Sequence, residues 1–417
     1  MQLYPLSWRV ALSFLAVVTI AILAGAWFVL FPTPQFPAPI GPLGIGTRVY
    51  SWIDSSRAEP FTPNAGDHRA ITVQIWFPTA AEGKVQRYIE QPAVLAAVAA
   101  RLHIPPFLLG RLQSAPTHAI RNAPPKAGRY PVLINPTGFS GFHAANLFWI
   151  EALVSHGYVV VTVDQPGTAA AATLEDGRVL ASADKTMFDR YMPLALSSSR
   201  DQTPVMNGVS LPGGIIPFLA ADMSFVLDRL AVPDAIDDEL AAILDLDRVG
   251  IFGMSLGGYI GPEACRTDRR FKACVAVDAG KTATTADTGL AQPLMIISRD
   301  ADVMREERSK AGGWAEEEIE HTISSQRRLY ENNAGDAYFV TMNGMYHVNW
   351  TDAPIWTPLV GWLGLAGPID PYDGFSVTNT CTLSFFDRYL RGALSANICP
   401  ERDPNVTRLE VRQARHP

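Results

Sequence analysis

The residues best suited to chemistry lie in the second half of the chain. "GIFGMSLGGYI" (250–260) holds Ser255 between Gly253 and Gly257 and so matches G-x-S-x-G. An apolar run precedes it and a helix-like stretch follows. In that setting a serine sits on a tight turn with its hydroxyl projecting above a sheet. The two glycines keep side chains away from the point where strand and helix backbones cross. The following helix directs its N–H groups and positive dipole end at the site, which favours developing negative charge. Pro262 is expected to kink or shorten that helix.

A serine hydroxyl needs a base, and the base an acid to orient it. After such a turn the chain order is serine, carboxylate, histidine. Three histidines follow Ser255: His321, His347 and His416. His321 falls in a polar helical stretch and His416 in the tail. His347, in "YFVTMNGMYHVNW", falls in a loop just past a strand and is the expected base. For the acid, the residues alone leave Asp278, which ends "VAVD", and Asp302 or Asp300, which follow "PLMIIS". The expected oxyanion donors are the backbone N–H groups of Leu256 and of Phe139 in "INPTGFSGF" (134–142).

These side chains need a rigid frame. From residue 69 onward, strand-like and helix-like stretches alternate. "ITVQIWFP" (71–78), "YPVLINP" (130–136), "YVVVTVDQP" (158–166), "RVGIFG" (248–253), "KACVAVDA" (272–279), "PLMIIS" (293–298) and "AYFVTM" (337–342) read as strands. Short runs apolar on both faces are expected of a buried parallel sheet. Residues 92–102, 144–157, 219–230 and 382–394 read as helices. Leu219, Met223, Val226 and Leu230 form one helical stripe. The alternation predicts βαβ units and a doubly wound, mostly parallel sheet with helices on both faces, whose ligands bind at the carboxyl ends of the strands. Residues 167–214 are rich in Ala, Ser, Thr and Gly, hold no evident strand, and are expected to form a lid-like insertion.

Residues 10–31 carry no charge and would make a helix of roughly 33 Å, enough to cross a bilayer. "AGA" (24–26) has signal-cleavage spacing, but the apolar run continues beyond it, so residues 1–31 are expected to be an uncleaved anchor. Arg9 before the segment and Arg48 after it favour a catalytic domain on the extracytoplasmic side, or secreted if the segment is cut. The Pro-rich stretch 32–46 reads as a spacer, and 47–417 as one catalytic domain. The net charge of -7 and the absence of long Lys/Arg runs argue against nucleic acid as a partner. Cysteines 265, 274, 381 and 399 permit two disulfides, with sequence neighbours suggesting 265–274 and 381–399. No metal-ligand motif is present, and no cofactor is expected.

The stretches "DHRAITVQIWFPT", "RYPVLINPTGFSG", "SHGYVVVTVDQPG", "FVLDRL", "GIFGMSLGG", "VAVDAG", "QPLMIIS" and "YFVTMNGMYHVNWTD" together resemble the plasma-type (isoform II) platelet-activating-factor acetylhydrolase family. The resemblance implies an α/β-hydrolase fold and metal-free cleavage of esters, including short or oxidised sn-2 acyl chains of phospholipids. The family's acid follows the strand after the serine turn, which implies Asp278. Its oxyanion loop reads S-H-G-x-G. Here "PTGFS" stands there, with no histidine and with Ser140 at the second glycine. The expectation is a serine ester hydrolase of lipid-like or short-chain esters, built on Ser255, Asp278 and His347. Two alternatives are a polyester- or cutin-like hydrolase and an inactive hydrolase-fold binding protein.

Overall fold

The computed structural model describes residues 8–174, 176–196, 203–393, 397–399 and 404–414. Its first element is helix α1 (Trp8–Leu30). Strands β1 (Gly44–Ala58), β2 (His68–Thr79) and β3 (Val85–Arg87) follow. A bent helical pair comes next, α2 (Pro92–Arg101) and α3 (Gly110–Ser114), then β4 (Pro116–Arg121). The central unit runs β5 (Tyr130–Pro136), α4 (Leu147–Ser155) and β6 (Val159–Asp164). After it come two ribbons, β7 (Ala171–Thr173) with β8 (Val179–Ala181) and β9 (Val205–Met206) with β10 (Val209–Ser210), and between them α5 (Lys185–Leu196). Helices α6 (Ile215–Ala231) and α7 (Asp238–Ala241) lead to β11 (Leu244–Met254), α8 (Leu256–Thr267) and β12 (Phe271–Val277). The chain then forms α9 (Ala283–Thr288), β13 (Leu294–Ser298), α10 (Ala301–Ala311), α11 (Glu316–Asn332) and β14 (Ala337–Met342). Helices α12 (Leu359–Trp362) and α13 (Pro371–Arg391) and strand β15 (Val406–Arg412) complete it.

Eleven strands make one sheet in the order β15-β14-β13-β12-β11-β5-β6-β2-β1-β4-β3. The run from β14 to β6 is parallel, and β2 and β15 add to it antiparallel. The parallel strands are apolar on both faces because helices cover both. On one face, α4 and α13 pack Phe148, Trp149, Phe385 and Phe386 onto Phe252 and Val275. On the other, α6, α8 and α11 bury Leu219, Met223, Val226, Leu230, Ile260 and Leu329. The stripe expected from sequence is thus the buried face of α6.

Several expectations change. Residues 167–214 contain α5 and two short ribbons rather than no strand at all. Those ribbon strands are only two or three residues long, too brief to give a period. The final helix begins at Pro371 rather than 382. Asp370 caps it, accepting from the Tyr372 N–H, and Gly392 ends it at φ 74°. Residues 32–46 do not stand free of the body. Phe36 is buried against Tyr88, Leu43 N–H donates to Ser155 O, and residues 44–46 already belong to β1. Burying Phe36 and Ile45 gives this stretch more to gain on the domain than in water. Of the suggested disulfides, Cys381–Cys399 is formed, whereas Cys265 and Cys274 are free, buried thiols.

Candidate active site

Ser255 stands between β11 and α8 with φ 54° and ψ -124°, a backbone that only a sharp turn imposes. Both neighbouring glycines are sterically required. A Cβ at Gly253 would lie 2.6 Å from the Gly257 carbonyl carbon, and one at Gly257 would lie 2.4 Å from the Pro136 oxygen. Pro262 lies inside α8 and has no N–H to offer the Gly258 carbonyl, its partner in a regular helix. The buried Lys281 supplies the missing donor. Its Nζ reaches Gly258 O at 2.8 Å and Ala279 O at 2.7 Å. Burial pushes this ammonium down to about 7.

His347 opens a short 3-10 turn, His347–Trp350, beyond the carboxyl end of β14. Its Nε2 is 2.9 Å from Ser255 Oγ and its Nδ1 is 2.6 Å from Asp278 Oδ2. Asp278 follows β12 in a left-handed conformation, φ 42°, and its backbone N–H extends the sheet by donating to Ile297 O. The carboxylate is fully buried. Burial alone would push it up, but Arg299 and His347 reverse that and hold it below the usual carboxylate range. The structure therefore brings Ser255, His347 and Asp278 into one hydrogen-bonded line. The other residues considered lie elsewhere. The Asp302 side chain is 93% exposed and pairs with Arg305. Asp300 precedes α10 and is half-exposed. His321, on α11, points its Nε2 at the Lys281 carbonyl. His416 lies outside the described residues.

A cavity of about 260 Å³ opens over Ser255 and His347. Phe139, Phe142, Met254, Val348 and Trp356 give it apolar walls, and Arg101 stands at its edge. Phe139 lies on the 138–141 turn, whose glycine packs against Ser255; a Cβ at Gly138 would be 3.6 Å from the serine Cβ. Leu256 N–H is the first of α8 and has no intrahelical acceptor. Ser140, where the resembled family has glycine, takes φ 58°, a conformation glycine adopts without strain. The described residues of segment 167–214 supply none of the cavity lining. They brace the turn instead: Ser140 N–H donates to Thr168 O, and Ala170 N–H to Gly141 O.

Several residues around the site were not picked out from sequence. Asp352 is buried five residues past His347. It accepts hydrogen bonds from the Leu147 and Phe148 N–H groups at the start of α4 and from the Tyr88 hydroxyl. It thereby ties the histidine loop to the segment that follows the 138–141 turn. Burial pushes its carboxyl up to about 8 despite those donors. Arg299, directly after β13, holds Asp278 from behind. Its only signal was its place at a strand's carboxyl end, where an acid was sought.

The sheet order and the serine turn between β11 and α8 define an α/β-hydrolase fold. A solved structure described as ferulic acid esterase from Streptomyces cinnamoneus superimposes with a TM-score of 0.69, covering 90% of this chain and all of that one, at 23% identity. Residues 234–397, which include Ser255, Asp278 and His347, match the family model for platelet-activating factor acetylhydrolase, isoform II. The platelet-activating factor acetylhydrolase of Cavia porcellus is 24% identical over 277 residues, 64% of this chain and 60% of that protein. The enzyme of the same name from Canis lupus familiaris is 21% identical over 309 residues, 68% of this chain and 64% of its own length. Over residues 234–397 the chain is similar to the platelet-activating factor acetylhydrolase, isoform II, family, at modest identity, on an α/β-hydrolase fold. It spans less than two thirds of the length of these two curated relatives.

Proposed function

We propose that the chain is a serine ester hydrolase. Ser255 attacks the ester carbonyl while His347 Nε2 takes its proton. Asp278 holds the imidazole through Nδ1 and stabilises its charged form. The Leu256 and Phe139 N–H groups receive the oxyanion of the tetrahedral intermediate. His347 then protonates the leaving alcohol, and water clears the acyl group by the same route in reverse. The observation that carries this reading is the line Ser255 Oγ–His347 Nε2–His347 Nδ1–Asp278 Oδ2, with spacings of 2.9 and 2.6 Å, at the edge of an apolar cavity.

The small, apolar cavity favours short acyl groups. With the acetylhydrolase named among the relatives, it supports short-chain or oxidised phospholipid esters over polymers. A membrane setting is part of the proposal. Exposed α1 is uncharged from Val10 to its end, and there Trp27 stacks on Phe107 at 5.9 Å while the Arg111 guanidinium lies 4.4 Å over Phe28. We take α1 to be a retained anchor with the catalytic body on the extracytoplasmic side. A panel of p-nitrophenyl esters from C2 to C12, an oxidised phospholipid, a feruloyl ester and a polyester film tests the substrate assignment. Turnover is expected to fall about tenfold or more from the short to the long acyl chains, with the oxidised phospholipid cleaved. Preference for the film or for long chains would overturn it, and no turnover at all would favour the binding-protein reading. Carbonate extraction of membranes, with and without residues 1–31, tests the anchor: only the full chain is expected to stay in the pellet.

A further inference from the structure

Asp278 has two carboxylate oxygens, and His347 uses only one. The other, Oδ1, accepts from Arg299 Nε at 3.0 Å. The Arg299 side chain is fully buried, and its Nη1 donates to Glu307 on α10. Glu307 uses its remaining oxygen to accept the backbone N–H of His347 at 3.3 Å. Arg299 thus spans the acid and the main chain of the base. One more side chain closes the group: the Trp314 ring lies edge-on to the His347 ring at 5.1 Å and 5.4 Å from the Arg299 guanidinium. This constellation is fixed from two strand ends, β12 and β13, and from α10. The chain of contacts that starts at the acid thus ends on the histidine's own peptide N–H.

We infer that Arg299 and Glu307 are positioning residues that set the orientation of the Asp278 carboxylate and balance the charge felt by the His347 imidazole. This rests on the serine-hydrolase reading above. Arg299 presents a full cation one carboxylate away from the imidazole, so it opposes protonation of the ring. Glu307 neutralises part of that cation, so it favours protonation. Among the described residues, other titratable or charged groups around the histidine loop are Asp352 on the loop itself, Glu306 and Lys310 of α10 beside Tyr346, Lys281 after β12, and Arg101 across the cavity. None of these joins Asp278 to the His347 backbone by direct hydrogen bonds as Arg299 and Glu307 do.

The two residues therefore act on the base with opposite sign, which a purely structural role does not produce. The test measures kcat and KM against pH on p-nitrophenyl acetate for Arg299→Met, Arg299→Lys and Glu307→Gln, with thermal unfolding alongside. In Arg299→Met the acid limb of kcat/KM is expected to move up by about one pH unit. Its kcat should fall about tenfold or more with KM nearly unchanged. Arg299→Lys, which keeps the charge but loses the fork, should leave the limb near its wild-type position and recover part of kcat. Glu307→Gln should move the limb down. Glu307→Gln is nearly isosteric, so it decides the matter if Arg299→Met does not fold. An unmoved or raised limb in Glu307→Gln, or movement of both limbs in one direction, overturns the inference. Ser255→Ala run in parallel separates the two readings. If it retains turnover, the serine-hydrolase reading has failed. If it is dead while the limbs do not move, only the roles of Arg299 and Glu307 have failed.

Discussion

Replacing Gly257 by alanine asks whether the serine turn is as tight as its function requires. The added Cβ would lie 2.4 Å from the Pro136 carbonyl oxygen. Ordinary van der Waals contact for a Cβ begins at 3.4 Å, so α8 and the end of β5 must separate by about 1 Å. Neither side yields easily, because both are backbone, one at the end of a sheet strand and the other in the first turn of the helix packed on it. Pro136 leads directly into the 138–141 turn, and α8 carries Ser255 at its head. The shift therefore widens the distances between the serine hydroxyl, the imidazole and the proposed oxyanion donors together. A misplacement of about 1 Å costs on the order of 10²-fold in rate, and forced overpacking costs about 1–3 kcal/mol in stability. Gly261, one turn further along α8, is the internal control. There the nearest atom to a new Cβ is 3.7 Å away, an ordinary contact. Gly261→Ala should be neutral or stabilising by up to about 1 kcal/mol, with kcat unchanged. Steady-state hydrolysis of p-nitrophenyl acetate and thermal unfolding of both variants make the comparison. A Gly257→Ala protein with kcat near wild type would refute the reasoning.

Asp278→Asn should lower kcat by about 10³–10⁴-fold, while Asp302→Asn, on an exposed side chain, should leave it within about twofold; side-by-side kinetics decide which carboxylate is the acid. Asp352 gives a pH signature in stability. Its carboxyl stands near 8 in the folded chain against 3.8 for the ordinary group, so the folded state holds a proton that the unfolded state releases in between. The group's contribution is therefore full below about 4 and is lost as pH rises to about 8. The stability difference between wild type and Asp352→Asn, followed by urea unfolding across that range, should shrink or reverse as pH rises. A difference independent of pH would contradict the assignment.

Much of the frame was legible in the sequence because its strands are apolar on both faces, as burial between two helical layers demands. β5, β6, β12, β13 and β14 stand out for that reason. β1 and β15 do not. They lie towards the ends of the sheet, and a strand such as "VTRLEVR" alternates polar and apolar residues without a strong signal. The start of α13 was hidden because "PYDGFSVTNT" is polar and β-branched; the Asp370 cap and the burial of Phe375 and Val377 hold it helical. Within the site, Ser255 was legible because its glycines are steric necessities, and His347 because it follows a strand end. The residues alone left Asp278 and Asp302 open, since both follow strands. What separates them is that one side chain turns inward to Arg299 and the other outward to solvent. Asp352 and Lys281 were not legible, and Arg299 gave only its place after a strand, since a sequence does not show which backbone groups or side chains the fold sets against them. The link between Lys281 and Pro262 shows the limit well: the proline announces a missing donor, but not which residue supplies it.

The most direct measurement is covalent. Wild-type protein and Ser255→Ala are each treated with a fluorophosphonate probe, and adducts are located by peptide mass mapping while ester hydrolysis is followed. The wild-type chain should gain one adduct, on the peptide carrying Ser255, and lose hydrolysis in step with labelling, while Ser255→Ala should show neither the adduct nor turnover. An adduct on another serine, or full hydrolysis by Ser255→Ala, would contradict the account.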